Sequence, residues 1–164
     1  MTIREILKLG NPLLYETSYE VEESELENIR EVVKDLHHTM MAFRTRYGVG
    51  RAIAAPQIRV MKRIVYMHID SPVVFLNPIL KNRSEEMIEL WDDCMCFPDL
   101  LVRVRRHKSC TIEFRDMDWN LRSIDLEDDL SELLQHEYDH LDGILAVMRA
   151  IDGTSFAYKD QVPR

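Results

Sequence analysis

The residues that most clearly suggest chemistry lie in the segment Q-H-E-Y-D-H-L-D-G, from Gln135 to Gly143. His136 and His140 are four positions apart, so a helix would point both imidazoles the same way, toward one shared divalent metal ion. Glu137 lies beside them and is suited to handle the proton of a water molecule. The pattern is typical of metal-dependent hydrolases, with histidines that merely fill a core or face solvent as the structural alternative.

A mononuclear metal site needs a third protein ligand, and the sequence after Glu137 does not offer one. In one class of zinc hydrolase a further histidine follows a glycine, but that position is Ala146 here, and no glutamate follows Glu137. The third ligand is therefore expected upstream, among the cysteines, the other histidines and the carboxylates. Cys94, in W-D-D-C-M-C-F-P, is the best candidate because a thiolate is a strong ligand and apolar neighbours favour a buried or sheet-edge position.

The helix that would carry both histidines is predicted by its own spacing of apolar residues. Asp128 and Asp129 suit its N-terminal end, and Gly143 suits its C-terminal stop. The apolar residues at helical spacing are Leu130, Leu133, Leu134, Tyr138 and Leu141. This helix places the metal-ligating pair near the C-terminus of the chain.

A long amphipathic helix is predicted upstream, with an apolar stripe from Leu26 to Phe43. Ser24 and Glu27 form a capping-box pattern at its start, and Gly48 is its expected stop. Strands are predicted between the two helices, from β-branched and aromatic runs separated by turn residues. The runs are R-I-V-Y-M-H-I, V-V-F-L-N-P, M-I-E-L-W, L-V-R-V-R, C-T-I-E-F-R and R-S-I-D-L.

This order of elements predicts an α+β fold, with mainly antiparallel sheets packed around a C-terminal metal-binding helix. The 164 residues, 46% of them hydrophobic, fit a single domain over 1–164. The polar segment 151–164 is expected to form a loose tail. The segment from Gly48 to Gln57, G-V-G-R-A-I-A-A-P-Q, would let backbone approach a substrate closely, although a close-packed loop would look similar.

Composition and charge restrict the partners and the compartment. The chain has no apolar run that could span a membrane and no secretory segment at its start, so a cytoplasmic protein without membrane association is expected. Three cysteines, an odd number, argue against a disulfide framework. A net charge of -8 disfavours general nucleic-acid binding. The basic stretch from Arg103 to Lys108 is interpreted as a solvated strand edge, with an anionic partner as the alternative.

Taken together, the separated motifs resemble the peptide deformylase family over nearly the whole chain. That family has a glycine- and alanine-rich loop ending in glutamine, then a cysteine motif between strands, then an H-E-x-D-H helix. The helix motif matches fully, including Gln135 before it and L-D-G-I-L after it. In the loop, the matching residues are Gly50, Ala54, Ala55 and Gln57.

The resemblance implies a reaction and a metal centre. Cys94, His136 and His140 would hold one divalent metal ion, Fe²⁺ in the cell, with Zn²⁺ or Ni²⁺ as substitutes. Glu137 would take a proton from water and return it to the leaving amine. The implied reaction removes the N-formyl group from the N-terminal methionine of a nascent protein and releases formate. Formyl-methionyl peptides or nascent chains are the expected partners, with the ribosome as a further candidate.

The resemblance also implies residues that handle the substrate. Gln57 and the backbone N–H of Met95 would donate hydrogen bonds to the developing oxyanion. Gly50 and Asp93 would line the substrate cleft. Asp93 stands where the family has a glycine, so it would add bulk and negative charge there.

Departures from the family pattern leave alternatives open. The family motif E-G-C-L-S is D-D-C-M-C here, from Asp92 to Cys96, and Ala52 replaces a glycine of the loop. These changes motivate two alternatives: an amidohydrolase acting on another small acyl-amide, or a catalytically silent homologue that binds peptides. Cys96 could compete for the metal or form a disulfide, and a small space-filling side chain is the favoured interpretation. Asp139 and Arg106 are candidates for an ion pair behind the metal helix, with surface positions as the alternative.

Overall fold

The structure is a computed structural model that describes residues 2–162. The helices are α1 (Leu26–Tyr47) and α2 (Asp129–Leu141). The strands are β1 (Ala52–Ala54), β2 (Ile64–His68), β3 (Pro72–Lys81), β4 (Met87–Asp92), β5 (Leu100–His107), β6 (Ser109–Arg115), β7 (Leu121–Glu127) and β8 (Phe156–Tyr158). Short 3-10 turns lie at Pro12–Tyr15, Glu23–Glu25, Ala55–Ile58, Ala146–Arg149 and Lys159–Gln161.

The strands form two separate sheets. One has five strands in the order β1-β2-β3-β6-β7, and the other has three in the order β4-β5-β8. All the strand pairs within these sheets are antiparallel. The predicted α+β fold with mainly antiparallel sheets and a C-terminal helix is therefore confirmed.

Side-chain alternation along the strands explains how both helices are held. On β2, Ile64 and Tyr66 point into a core shared with α1, whereas Val65 points into a core shared with α2. Successive residues of a strand face opposite sides of the sheet, so α1 and α2 cover opposite faces of the five-stranded sheet. Leu134 and Leu141 of α2 pack in the second of these cores, which fixes the rotation of the helix about its axis.

The N-terminal end of α1 differs in detail from the predicted capping box. Ser24 lies inside the 3-10 turn, and the carboxylate of Glu25 accepts a hydrogen bond of 2.8 Å from the N–H of Glu22. The turn precedes the helix, so the free N–H groups that need a partner are shifted along the chain. The predicted stop is present, because Gly48 adopts a left-handed φ of 74°.

The segment 151–162 differs from the loose tail that the sequence suggests for 151–164, and the last two residues of that prediction lie outside the described residues. The side chain of Asp152 accepts from the N–H of Thr154 and the hydroxyl of Ser155, which forms a turn and buries Ser155. β8 follows and pairs with β5 in the three-stranded sheet. Three residues are too few for hydrophobic alternation to indicate a strand, so this pairing is visible only in the folded chain.

Within residues 2–162, neither helix combines the length and the apolar character that crossing a membrane requires.

Candidate active site

α2 and the turn after β4 bring three metal-ligand side chains together. His136 and His140 lie on one face of α2, and their ring centroids are 5.1 Å apart. The Sγ atom of Cys94 lies 3.3 Å from Nε2 of His140. One ligand atom from each of the three residues lies within 4.8 Å of the others, and all three residues are buried. His136 and Cys94 border a cleft of about 520 Å³ that opens to the surface.

Asp92, at the end of β4, orients His136. Its Oδ2 atom lies 2.8 Å from Nδ1 of His136, so the other ring nitrogen, Nε2, is left for the cluster. The same oxygen accepts from Arg106 at 2.9 Å. Burial disfavours the ionised carboxyl, but His136 and Arg106 outweigh it and lower the pKa of Asp92 to about 2. Asp92 is therefore an ionised hydrogen-bond acceptor behind the histidine.

The predicted ion pair between Arg106 and Asp139, behind α2, is present. Arg106 donates to Asp139 on α2 at 2.6 Å, and both side chains are buried. Arg149 closes the other side of Asp139 with distances of 2.6 and 2.8 Å. The expected solvated strand edge is therefore wrong for Arg106, which turns inward because two buried carboxylates face it, while its neighbour Arg105 remains exposed.

Glu137 lies in the cleft next to the cluster, and its side chain is buried. Among residues 2–162, no group forms a hydrogen bond with its Oε2 atom. Burial raises the pKa of Glu137 to about 7, with His136 opposing the shift and Asp92 adding to it. A carboxyl group with a pKa near neutrality can both accept and donate a proton.

The donor atoms suit a divalent metal ion. Burial and the neighbouring His136 hold the pKa of His140 well below its usual range, so this imidazole is neutral, as a ligand must be. Burial and the adjacent Cys96 raise the pKa of the Cys94 thiol, so a thiolate here requires a cation. Sulfur with two imidazoles is a ligand set of transition metals rather than of Mg²⁺ or Ca²⁺.

The predicted oxyanion donors lie at the same cleft. Oε1 of Gln57 accepts from the N–H of Ala54 at 2.8 Å, which fixes the amide. Its Nε2 lies 3.4 Å from Sγ of Cys96 and 3.8 Å from Sγ of Cys94, and therefore faces the cluster. Met95 lines the cleft beside Gln57.

The glycine-rich loop approaches the cleft as closely as its composition suggests. A Cβ atom on Gly50 would lie 3.1 Å from Cε of Met95, and Gly50 has a φ of 134° that side-chain-bearing residues rarely adopt. Asp93 lies at the mouth, where Lys159 contributes a counter-charge at 3.5 Å. The negative charge predicted at this position is thus partly offset by the C-terminal segment.

Two residues of the site were missed by sequence reasoning alone. Asp92 was noted only as a departure, although its position two residues before Cys94 placed it near the cluster. Glu132 meets Arg51 in a 2.9 Å ion pair that lines the cleft. A partner 81 positions away leaves no local signal, so only the fold reveals that pair.

A buried cluster of one cysteine and two histidines, next to a buried glutamate and bordering an open cleft, is the arrangement of a metal-dependent hydrolase. The family model described as polypeptide deformylase matches residues 3–155. The chain therefore belongs to the peptide deformylase family, as its sequence motifs predict. It is a metal-dependent hydrolase that removes the N-formyl group from nascent peptides, and a divalent metal is its cofactor.

Known peptide deformylases are similar to this chain in sequence and in fold. A peptide deformylase from Dictyoglomus thermophilum is 32% identical over 93% of this chain and 95% of its own length. A crystal structure of peptide deformylase from Thermotoga maritima is 25% identical, with a TM-score of 0.85 over 93% of this chain and 100% of its own. A Met-Ala-Ser-bound deformylase from Acinetobacter baumannii is also 25% identical, with a TM-score of 0.83 over 90% of this chain and 98% of its own.

Proposed function

We propose that deformylation takes place at the cluster of Cys94, His136 and His140, with Glu137 as the proton-transfer residue. The observation that carries this assignment is the convergence of the three ligand atoms within 4.8 Å, next to a buried carboxyl oxygen that no hydrogen-bond partner in the described part of the chain meets. Fe²⁺ is the proposed ion in the cell, with Zn²⁺ or Ni²⁺ able to replace it, because thiolate and imidazole bind each of them.

When bound, the divalent ion supplies Lewis acidity, which polarises a carbonyl group and makes water a better nucleophile. The protein contributes the geometry. Asp92 holds Nδ1 of His136 by a hydrogen bond and so aims Nε2 at the cluster, and the helical spacing of His136 and His140 fixes the two imidazoles relative to each other. Reorganisation of the ligands during the reaction is thereby avoided.

Glu137 would move one proton twice. Its free Oε2 accepts a proton as the water oxygen attacks the formyl carbon. The same proton then passes to the formamide nitrogen as the C–N bond breaks, which yields a free amine and formic acid, and the acid then releases its proton to water to become formate. A pKa of about 7 suits both steps, since the group is neither a strong acid nor a strong base at neutral pH.

Gln57 and the backbone N–H of Met95 would stabilise the charge that develops on the formyl oxygen. The amide of Gln57 is fixed in advance by Ala54, so its Nε2 needs no reorientation toward the reacting group. Each well-placed donor of this kind contributes about 3 to 4 kcal/mol to transition-state stabilisation.

The proposed substrate is the N-terminus of a formylated nascent chain, met near the ribosome in the cytoplasm. The Acinetobacter baumannii relative binds Met-Ala-Ser, the sequence that deformylation of formyl-Met-Ala-Ser would leave. Gly50 and Asp93 lie on the cleft wall and mouth, where such a peptide would pass.

Formate release from formyl-Met-Ala-Ser by anaerobically purified, Fe²⁺-loaded protein tests the proposal, with bound metal measured in parallel. Glu137→Gln is expected to keep the metal and lose turnover by at least about 10²-fold, because proton transfer contributes 10²–10⁴. Glu127→Gln on exposed β7 is the matched control and should change neither quantity.

Undiminished turnover in Glu137→Gln would exclude Glu137 from the proton transfer. If the wild-type protein binds metal but releases no formate, the substrate is another small acyl-amide, and the peptide assignment is wrong.

A further inference from the structure

The mechanism does not use an ion pair that forms part of the cleft wall. Arg51, just before β1, donates from Nη2 to Oε1 of Glu132 on α2 at 2.9 Å. The Glu132 side chain is only 10% exposed, whereas the Arg51 side chain is 43% exposed. Both residues line the same cleft as His136 and Glu137. The pair is therefore a polar surface that a bound substrate would touch.

The position of Glu132 on α2 relates the pair to the reacting atoms. Glu132 lies four residues before His136, so both side chains leave the same face of the helix, about 6 Å apart along its axis. In a substrate whose formyl carbon lies at the cluster of Cys94, His136 and His140, the first side chain would extend from the formyl carbon over a comparable distance. That side chain is thus the part of the substrate within reach of the pair.

Arg51 and Glu132 make this part of the cleft wall favour polar substrate side chains over apolar ones. An apolar side chain placed against a part-buried ion pair removes water from the charges and gives no hydrogen bond in return. A guanidinium has five N–H donors, so Arg51 can serve a ligand while it remains bonded to Glu132. A side chain that ends in a hydrogen-bond acceptor would replace the lost water contact.

The rest of the cleft surface suits the hydrocarbon part of such a side chain. Phe43, Met95 and Leu133 contribute apolar surface to the cleft. An unbranched side chain of methionine length could therefore lie against apolar groups and end at Arg51.

We propose that Arg51 and Glu132 determine specificity for the side chain of the formyl-bearing residue. Arg51, held by Glu132, would donate a hydrogen bond to a side chain that ends in an acceptor. The substrate class would then include formylated peptides that begin with methionine sulfoxide, the polar counterpart of methionine. This inference rests on the proposed function, because it assumes that the formyl group lies at the cluster.

The test compares kcat/KM for formyl-Met-Ala-Ser with that for the same peptide carrying methionine sulfoxide. Wild-type protein and Arg51→Leu/Glu132→Leu are assayed with both peptides. Replacing both partners avoids leaving one unpaired charge in the cleft. Wild-type protein should process the sulfoxide within about tenfold of the methionine peptide, and the double variant should lower the sulfoxide-to-methionine ratio about 10- to 100-fold.

Two further variants separate specificity from folding. Arg51→Met/Glu132→Met keeps unbranched side chains but has no hydrogen-bond donor, and should lower the ratio in the same direction if the leucine pair does not fold. Lys81→Leu/Glu113→Leu removes a 3.0 Å ion pair between β3 and β6, strands that do not line the cleft, and should leave the ratio unchanged.

An equal fall in kcat/KM for both peptides would show that the pair is only structural and would overturn the inference. Failure of the proposed function gives a different result, namely no formate from either peptide. In that case calorimetry with the formyl-free products, Met-Ala-Ser and its sulfoxide, still decides the matter. Wild-type protein should then bind the sulfoxide at least as tightly as the thioether, and tighter binding of the thioether by tenfold or more would refute a polar wall.

Discussion

Replacement of Asp92 by asparagine should weaken metal binding as well as the fold, whereas the same replacement at Asp139 should weaken only the fold. Both carboxylates accept a hydrogen bond from buried Arg106, at 2.9 Å and 2.6 Å. Only Asp92 also accepts from His136, at 2.8 Å. The two variants thus share one defect and differ in another.

The shared defect is the loss of one of the two carboxylates that neutralise the buried guanidinium of Arg106. Breaking one partner of a buried ion pair costs about 3 to 5 kcal/mol. An asparagine amide still accepts one hydrogen bond, so we expect a loss near the lower end, about 3 kcal/mol, in the free energy of unfolding of each variant. Urea unfolding of metal-free protein measures this term without a contribution from the metal.

The difference between the variants lies at the metal. Loss of the carboxylate that orients a ligating histidine lowers metal affinity about 10- to 100-fold, so Asp92→Asn should bind Zn²⁺ or Ni²⁺ more weakly by that factor. Asp139→Asn should stay within about threefold of wild type, since Asp139 pairs with Arg106 and Arg149 and contacts no histidine of the cluster. Competition with a chelator of known affinity gives both values. Equal affinities of the two variants would refute the assignment of Asp92 as the orienting residue.

Two further predictions use matched pairs of positions. Cys94→Ser should abolish stoichiometric metal binding measured by elemental analysis, whereas Cys96→Ser, two residues on, should retain it. Loss of metal in both variants would contradict the assignment of Cys94 as the only cysteine ligand. Gly143→Ala should destabilise the protein by at least about 2 kcal/mol more than Gly48→Ala in urea unfolding. Both glycines have a left-handed φ, but only a Cβ on Gly143 would clash with the carbonyl oxygen of Tyr15. Equal losses would show that the loop at Tyr15 moves freely.

The parts of the fold with periodic or motif signals could be predicted from the sequence. Three signals are local: the apolar stripe of α1, the strand runs, and the spacing of His136 and His140. Local patterns can be recognised in the sequence without knowledge of the tertiary structure. Cys94 was ranked above other upstream residues by chemistry alone, and the structure places it within 3.3 Å of His140.

The remaining features depend on contacts between distant segments. The carboxylate of Asp92 meets His136 across 44 positions, and no spacing rule connects them. β8 is three residues long and is stabilised by pairing with β5 rather than by its own composition. Arg106 belongs to a stretch predicted as a strand edge, but its side chain lies on the face of the smaller sheet that points toward α2. Which face of β4 and β5 is buried is decided only when this sheet packs against α2, so the sequence does not show it.

The origin of the three metal ligands has a consequence for the lifetime of the protein. Cys94 follows a strand of the smaller sheet, while His136 and His140 belong to the helix that covers the larger one. An ion held by all three would tie the two halves of the molecule together, much as a covalent cross-link closes a chain loop. Because a ligand that binds only the folded state adds about 4 kcal/mol at a thousandfold excess over its dissociation constant, metal scarcity would increase exposure of the unfolded chain to proteases. Metal supply would then govern how much of this protein persists, and not only how fast each molecule works.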